Sequence, residues 1–180
     1  MFHRSERLLL RPPWAEDWEN VLGGIADEGV VRNLARAPWP YSADDARDFV
    51  SLPIADLYPR FLITRADSGA LVGCIGIDPH EDDTEMGYWI ARQHWGQGYA
   101  TEAGRAVLQI ASTLGHRRIV ASHYLDNPAS GRVLDKLGFQ RTGRVVDRHS
   151  CGRGEAAPTA EFVLDLEDAE AEAEAARRAA

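Results

Sequence analysis

The sequence predicts an α/β protein with a mixed sheet flanked by helices, and three observations carry that prediction. Two apolar, β-branched runs, Arg60 to Arg65 and Ala70 to Asp78, are joined by Asp67-Ser68-Gly69, which reads as an antiparallel hairpin. Next, an apolar stretch from Thr84 to Ala91 leads through a turn with Gly96 and Gly98 into a segment that repeats Ala100, Ala103, Val107, Ala111 and Leu114 at steps of three or four, then into the apolar run Arg118 to Tyr124. Strand, long helix and strand in that order imply one parallel crossover. Finally, 180 residues with 44% apolar content fit a single domain able to bury its own core.

The elements follow in order. Glu6 to Arg11 reads as an opening strand, stopped by Pro12-Pro13, which also suit the first turn of a helix. Trp14, Trp18, Val21 and Leu22 have helical spacing up to Gly24, and Val30 to Ala35 continues as helix after Asp27. Pro38-Trp39-Pro40-Tyr41 is irregular. Ser42 is an N-cap for a helix with Ala46, Phe49 and Val50 on one face. After the hairpin, a turn at His80 to Asp83 leads into the Thr84 to Ala91 strand. Gly115 ends the long helix, and His116 is expected to interact with its C-terminal dipole. A shorter helix runs from Asn127 to Leu137 and stops at Gly138. Phe139 to Asp147 and Ala160 to Leu166 are the last two strands. The domain spans 1–166, and 167–180 is a Glu/Ala-rich tail with helix propensity but no apolar face, expected to be frayed or helical.

The formal charge of −8 is concentrated at one end: Glu161 to Ala180 carries seven acids and two arginines, leaving −3 for the other 160 residues. A body so close to neutral argues against nucleic acid as the ligand. No apolar segment approaches the roughly 18 to 20 residues of a membrane span, and none resembles a signal peptide. With only Cys74 and Cys151, far apart in sequence, a cytoplasmic protein with free thiols is expected. His80-Glu81-Asp82-Asp83 is a polar hairpin turn with no second cluster to complete a coordination shell, so no metal is expected.

The turn before the long helix is the chemically suggestive stretch. N–H groups freed at Gly96 and Gly98 would point toward the unpaired first N–H groups of the helix, and both favour a phosphate. The dinucleotide fingerprint fails because Thr101 stands where a third glycine belongs, and no Gly-Lys-Ser/Thr completes a P-loop. What fits is Gln93-x-x-Gly96-x-Gly98-x-Ala100, with which the chain resembles the GNAT acetyltransferases and their acyl-CoA signature. A second element, Asn127-Pro-Ala-Ser130 through Leu137-Gly138-Phe139, is similar to the same family. Glu6-Arg7-Leu8-x-Leu10-Arg11 and Gly87-Tyr88-Trp89-Ile90 make the pattern most similar to the RimJ/RimL-type branch, over about residues 5 to 166.

That resemblance implies a largely antiparallel sheet of six to seven strands with a central, splayed parallel pair. It implies an acetyl-CoA-dependent N-acetyltransferase in which the turn residues Gln93, His94, Trp95, Gly96, Gln97, Gly98, Tyr99 and Ala100 hold the pyrophosphate. The acyl arm would lie between the splayed strands, with an N–H near Ile90 facing the thioester carbonyl and Asn127 bonding the amide arm. Tyr88 and Trp89 alternate, so one lines the site and the other packs in the core, and the sequence does not say which. Ser130 is implied as the hydroxyl that protonates the leaving thiolate. For the base, Glu85 is the first choice, then His123, then Asp78. Trp39 and Tyr41 are expected to contact the amine substrate, together with Glu85 and His123. The partners are acetyl-CoA and a primary amine, either a protein N-terminus or a small molecule, and a homodimer stays open. Two rival classes remain: an acyl-CoA sensor without turnover, suggested by the unfixed base, and a nucleotide-binding domain, disfavoured by the absent glycine and lysine.

Overall fold

The computed structural model describes residues 1–167; apart from Glu167, the expected acidic tail lies outside them. Eight strands form one sheet: β1 (His3–Arg4), β2 (Leu8–Arg11), β3 (Arg60–Arg65), β4 (Leu71–His80), β5 (Asp83–Ile90), β6 (Arg118–Tyr124), β7 (Gln140–Ser150) and β8 (Glu155–Asp165). Their order is β1-β2-β3-β4-β5-β6-β8-β7, antiparallel except for β5 and β6. The expected count of six to seven is therefore exceeded by the two-residue β1, which pairs with β2 at the sheet edge and is too short to show a pattern.

Among the described residues five α-helices cover the sheet: α1 (Trp18–Ile25), α2 (Glu28–Val31), α3 (Ala43–Ser51), α4 (Tyr99–Thr113) and α5 (Pro128–Lys136). Ser42 caps α3 as expected, its hydroxyl accepting from Asp45 N–H while the Asp45 carboxylate accepts from Ser42 N–H. The segment expected as helix from Val30 to Ala35 forms only the last turn of α2, because residues 32–36 instead meet the β7–β8 turn: Ser150 Oγ donates to Leu34 O and Cys151 N–H donates to Ala35 O.

Alternation along the strands sorts the core into two layers. On one face Met86, Ile90, Ile119 and Ala121 pack with Val107 and Ala111 of α4 and Leu134 of α5. On the other, Cys74, Trp89 and Ala91 pack with Val21 and Ile25 of α1, Val30 and Val31 of α2, and Ala46 and Val50 of α3. Strands β7 and β8 run 11 residues each, longer than expected. In their added pairs, from Arg148 opposite Ala157 to Ser150 opposite Glu155, the small polar Ser150 is the one buried residue, so no apolar alternation marks them. The expected partner of the His116 ring, the end of its own helix, is replaced by two others: the ring bonds Thr84 Oγ1 at 2.9 Å and Leu57 O at 2.7 Å, tying β5 to the loop after α3. Among the described residues no helix is long and apolar enough to cross a membrane.

Candidate active site

The parallel pair is joined only at Thr84 opposite Ile119 and Glu85 opposite Val120, and beyond Glu85 the two strands separate. Ala91 N–H donates to Val72 O on the β4 side. Strand alternation then turns the N–H groups of Tyr88 and Ile90 toward the gap. Ile90 O is taken by the Trp95 indole N–H at 2.6 Å, so the turn is pinned to the end of β5. A cleft of about 900 Å3 passes through this gap from one face of the sheet to the other.

At the α4 end of the cleft, a 3-10 turn at Arg92–His94 leads to Gly96 (φ 73°) and Gly98 (φ 80°), the N-cap of α4. Both are in the left-handed region, where a side chain is strained. A Cβ on Gly96 would meet no atom within 4 Å, and one on Gly98 would reach only Arg7 Nη2 at 3.5 Å. The glycines are therefore needed for backbone shape, and the space above them is open. Gln97 Nε2 donates to Gln93 O and Arg7 Nη1 donates to Gln97 O, so the turn is braced from both sides. Arg7 also pairs with Glu102 at 2.7 Å. His94 meets the buried Tyr99 edge-on, at 6.0 Å between ring centroids, and Ala100 completes the first turn beside them.

Asn127 caps α5, its Oδ1 accepting from Ser130 N–H at 3.4 Å. Ser130 Oγ lies 2.8 Å from Tyr88 OH, and burial pushes that phenol up to about 12 against a smaller opposing effect of the serine bond. The structure thus divides Tyr88 from Trp89: Tyr88 reaches Ser130 on the α4–α5 face, whereas the Trp89 ring is buried against Gly24 of α1.

Glu85 shares the α1–α3 face with Trp89. Its carboxylate accepts from both terminal nitrogens of Arg148, and Arg148 Nη1 also donates to Ser122 Oγ at 2.6 Å. The Glu85 hydrogen bond raises the Arg148 pKa further, against the opposing effect of burial. Asp78 is exposed and paired with Arg36 at 2.5 Å. His123 lies on the opposite face, buried beside Phe162; its Nδ1–H donates to Tyr124 O, and Nε2 has no partner. Tyr41 is buried, lines the cleft and donates to Asp45 O at 3.2 Å, whereas Trp39 is 41% exposed.

The structure therefore brings Tyr88, Ile90, Gly96, Gly98, Tyr99, Ala100, Asn127 and Ser130 to one cleft, with Glu85 and Tyr41 on its far side. Sequence reasoning missed Arg148 and Ser122. Arg148 lies in a stretch assigned to no element, and only its pairing across β8 reveals it.

Comparisons with known proteins agree with this geometry. The description of an acetyltransferase (GNAT) domain matches residues 7–140. The N-acetyltransferase p20 of Bacillus licheniformis is 31% identical over 152 residues, covering 79% of this chain and 84% of that protein. The ribosomal-protein-serine acetyltransferase of Escherichia coli is 35% identical over 83 residues, 44% of this chain and 45% of that protein. The crystal structure of a GNAT-family acetyltransferase from Bacillus anthracis superimposes with a TM-score of 0.81 at 26% identity, covering 93% of this chain and 99% of that one. The microcin C7 self-immunity acetyltransferase MccE, solved with acetyl-CoA and AMP, shares the fold at a TM-score of 0.73 and 19% identity, over 89% of this chain and 93% of its own.

The fold and the split strand pair define an acyl-CoA-dependent transferase. The chain belongs to the GNAT acetyltransferases and is an acetyl-CoA-dependent N-acetyltransferase. Its residues fit that cofactor: two left-handed glycines precede a helix N-terminus, whose first N–H groups favour an anion, and strand N–H groups face the gap beyond it.

Proposed function

We propose that this enzyme acetylates a primary α-amine by direct attack within a ternary complex, as a member of the RimJ/RimL-type branch. The observation that supports the reading is the cleft through the gap beyond Glu85, lined by Ile90 and Ser130 on one side and by Glu85 on the other. Bound acetyl-CoA supplies an acyl group activated as a thioester. Gly96, Gly98 and the first turn of α4 bind its diphosphate, with Gln93 to Ala100 as the cradle. Asn127 and the backbone of β5 orient the arm, and Ile90 N–H donates toward the acyl oxygen. Ser130 holds the proton that the departing sulfur needs. The amine enters from the α1–α3 face, between Tyr41 and Glu85, with Trp39 at the rim.

Glu85 is the proton acceptor in this reading, and Arg148 with Ser122 holds it still. The arrangement suits an α-amine: at a pKa near 8 about one-tenth of it is neutral at pH 7, against less than one-thousandth of a lysine at about 10.4. The N-terminus of a protein and a small amino compound both present such a group. Partial likeness to a ribosomal-protein-serine acetyltransferase supports the first. The body charge of about −3 gives no electrostatic preference for a basic ribosomal partner.

A thiol-release screen with acetyl-CoA against N-terminal peptides, amino acids, polyamines and aminoglycosides tests the reading, with α-amines expected to lead. Ser130→Ala should lower kcat about a hundredfold with little change in acetyl-CoA affinity. An equal loss in both would remove the acid role. Glu85→Gln should lower turnover about tenfold or more at pH 7, with the loss shrinking as pH approaches 9 and the amine loses its own proton. A loss that stays constant across that range would make Glu85 merely the anchor of Arg148.

A further inference from the structure

Ser130 stands in the first turn of α5, where the carbonyl that its hydroxyl could bond back to is that of the cap residue, Asn127. Here its hydroxyl instead meets Tyr88 OH at 2.8 Å, across the split between β5 and the helix packed on β6. Tyr88 comes from β5, two residues before Ile90 and on the same face, so one hydrogen bond joins the two walls of the gap. Both side chains are partly buried and both line the cleft. We propose that Tyr88 is the positioning residue for Ser130, donating its phenolic proton to Ser130 Oγ and so directing the serine's own O–H into the cleft. This rests on the acid role of Ser130 proposed above.

The direction of the bond follows from acidity. A phenol is more acidic than an alkyl hydroxyl and is the better donor of the two, and burial keeps Tyr88 protonated throughout the neutral range. With its lone pair engaged by Tyr88, Ser130 has its proton free for another acceptor, and a hydroxyl that accepts a hydrogen bond is itself polarised into a stronger donor. The Ser130 backbone N–H is already committed to Asn127, through O at 3.2 Å and Oδ1 at 3.4 Å, so the residue is held at the backbone by its cap and at the hydroxyl by Tyr88. Proton balance is simple: Ser130 delivers one proton to the sulfur as the carbon–sulfur bond breaks and recovers one from solvent or from Tyr88, which is replenished in turn.

Two readouts test this. In complexes with coenzyme A, the free thiol is titrated by the ultraviolet absorbance of its thiolate, in wild type, Tyr88→Phe, Ser130→Ala and the double variant. Steady-state kinetics are then measured on the same four proteins, each checked for an unchanged melting temperature. The bound thiol should titrate lowest in wild type and rise by about half a unit to one unit in both single variants, up to a tenfold change in its ionisation. Tyr88→Phe should lower kcat about tenfold at constant KM for acetyl-CoA, and the double variant should be no slower than Ser130→Ala. Wild-type values for Tyr88→Phe beside a defective Ser130→Ala would overturn the positioning role alone. So would multiplying losses in the double variant. A silent Ser130→Ala would overturn the acid role on which it rests. Should Tyr88→Phe lower the melting temperature, the thiol titration, made on folded complex, still decides between these outcomes.

Discussion

Replacing Gly98 by valine is expected to weaken acetyl-CoA binding at least a hundredfold while the protein stays folded. Gly98 has φ 80° and is the N-cap of α4. An ordinary residue there loses about 1–2 kcal/mol, and a β-branched one more. If the turn keeps its shape, that strain falls on stability, which at about 5–15 kcal/mol can absorb it. If the turn relaxes, the donors at the start of α4 rotate away from the diphosphate, and each hydrogen bond to a charged group is worth about 1.5–3 kcal/mol. Relaxation is favoured because residues 95–98 are exposed and are held by a few hydrogen bonds, those of Trp95 to Ile90 O and Arg92 O, of Gln97 to Gln93 O and Arg7, and of Glu102 N–H to Gly98 O. Loss of one or two such bonds is a factor of about a hundred, since each 1.4 kcal/mol is tenfold. Isothermal titration of acetyl-CoA into wild type and Gly98→Val gives the comparison, with Gly98→Ala expected to fall between. Affinity within threefold of wild type would mean that the diphosphate is not held here. A parallel collapse in melting temperature would mean that the strain stayed in the fold.

Legibility in the sequence tracked how local the governing physics is. The hairpin at Asp67-Ser68-Gly69, the Ser42 cap and the long helix after Gly98 are decided by neighbouring residues, and the sequence marks them plainly. Tyr88 and Trp89 could not be assigned because helices cover both faces of the sheet at β5, so apolar residues occupy both parities and alternation loses its meaning. Arg148 and Ser122 were illegible for another reason. Arg148 reaches Glu85 from β7 and Ser122 of β6 bonds that arginine, a contact 63 positions apart in sequence that only the assembled sheet brings together. Likewise, residues 32–36 are drawn out of helix by the β7–β8 turn, more than 110 positions along the chain. The glycine turn, Asn127 and Ser130 carry spacing that points to one ligand, whereas the residues around the amine carry none.

Asp17→Ala should be the most damaging single change to stability among the charged residues of the α1–α3 layer, lowering stability by about 3–5 kcal/mol. At about 2–4 °C per kcal/mol for a chain of this size, the melting temperature should fall by roughly 10 °C. Asp17 is only 6% exposed; its two oxygens accept from Arg11 at 2.7 and 2.6 Å, and one also accepts from Trp14 N–H at 2.7 Å. The Arg11 guanidinium is itself stacked on the Trp14 ring at 4.1 Å, so removing the carboxylate strands a largely buried cation on an aromatic face. Surface pairs such as Arg47 with Asp44 are solvated and should yield less than about 1 kcal/mol. Burial opposes the charge on Asp17, yet the hydrogen bonds from Arg11 and Trp14 and the Arg11 charge outweigh it and hold the carboxyl below its usual range. Because the folded pKa is the lower one, the stabilisation is complete above the unfolded value near 3.8 and fades as pH falls through the folded value. Wild type should therefore lose stability more steeply than Asp17→Asn between about pH 5 and pH 2. Thermal melts of the three proteins across that range measure both effects. A fall of less than 3 °C for Asp17→Ala at pH 7 would mean that the pair barely offsets its own desolvation. The consequence for activity runs through α1, which begins right after Asp17 and carries Gly24 against the Trp89 ring. Loosening that contact frees β5 on the face opposite Tyr88, so Asp17→Ala should raise KM for the amine before it changes that for acetyl-CoA.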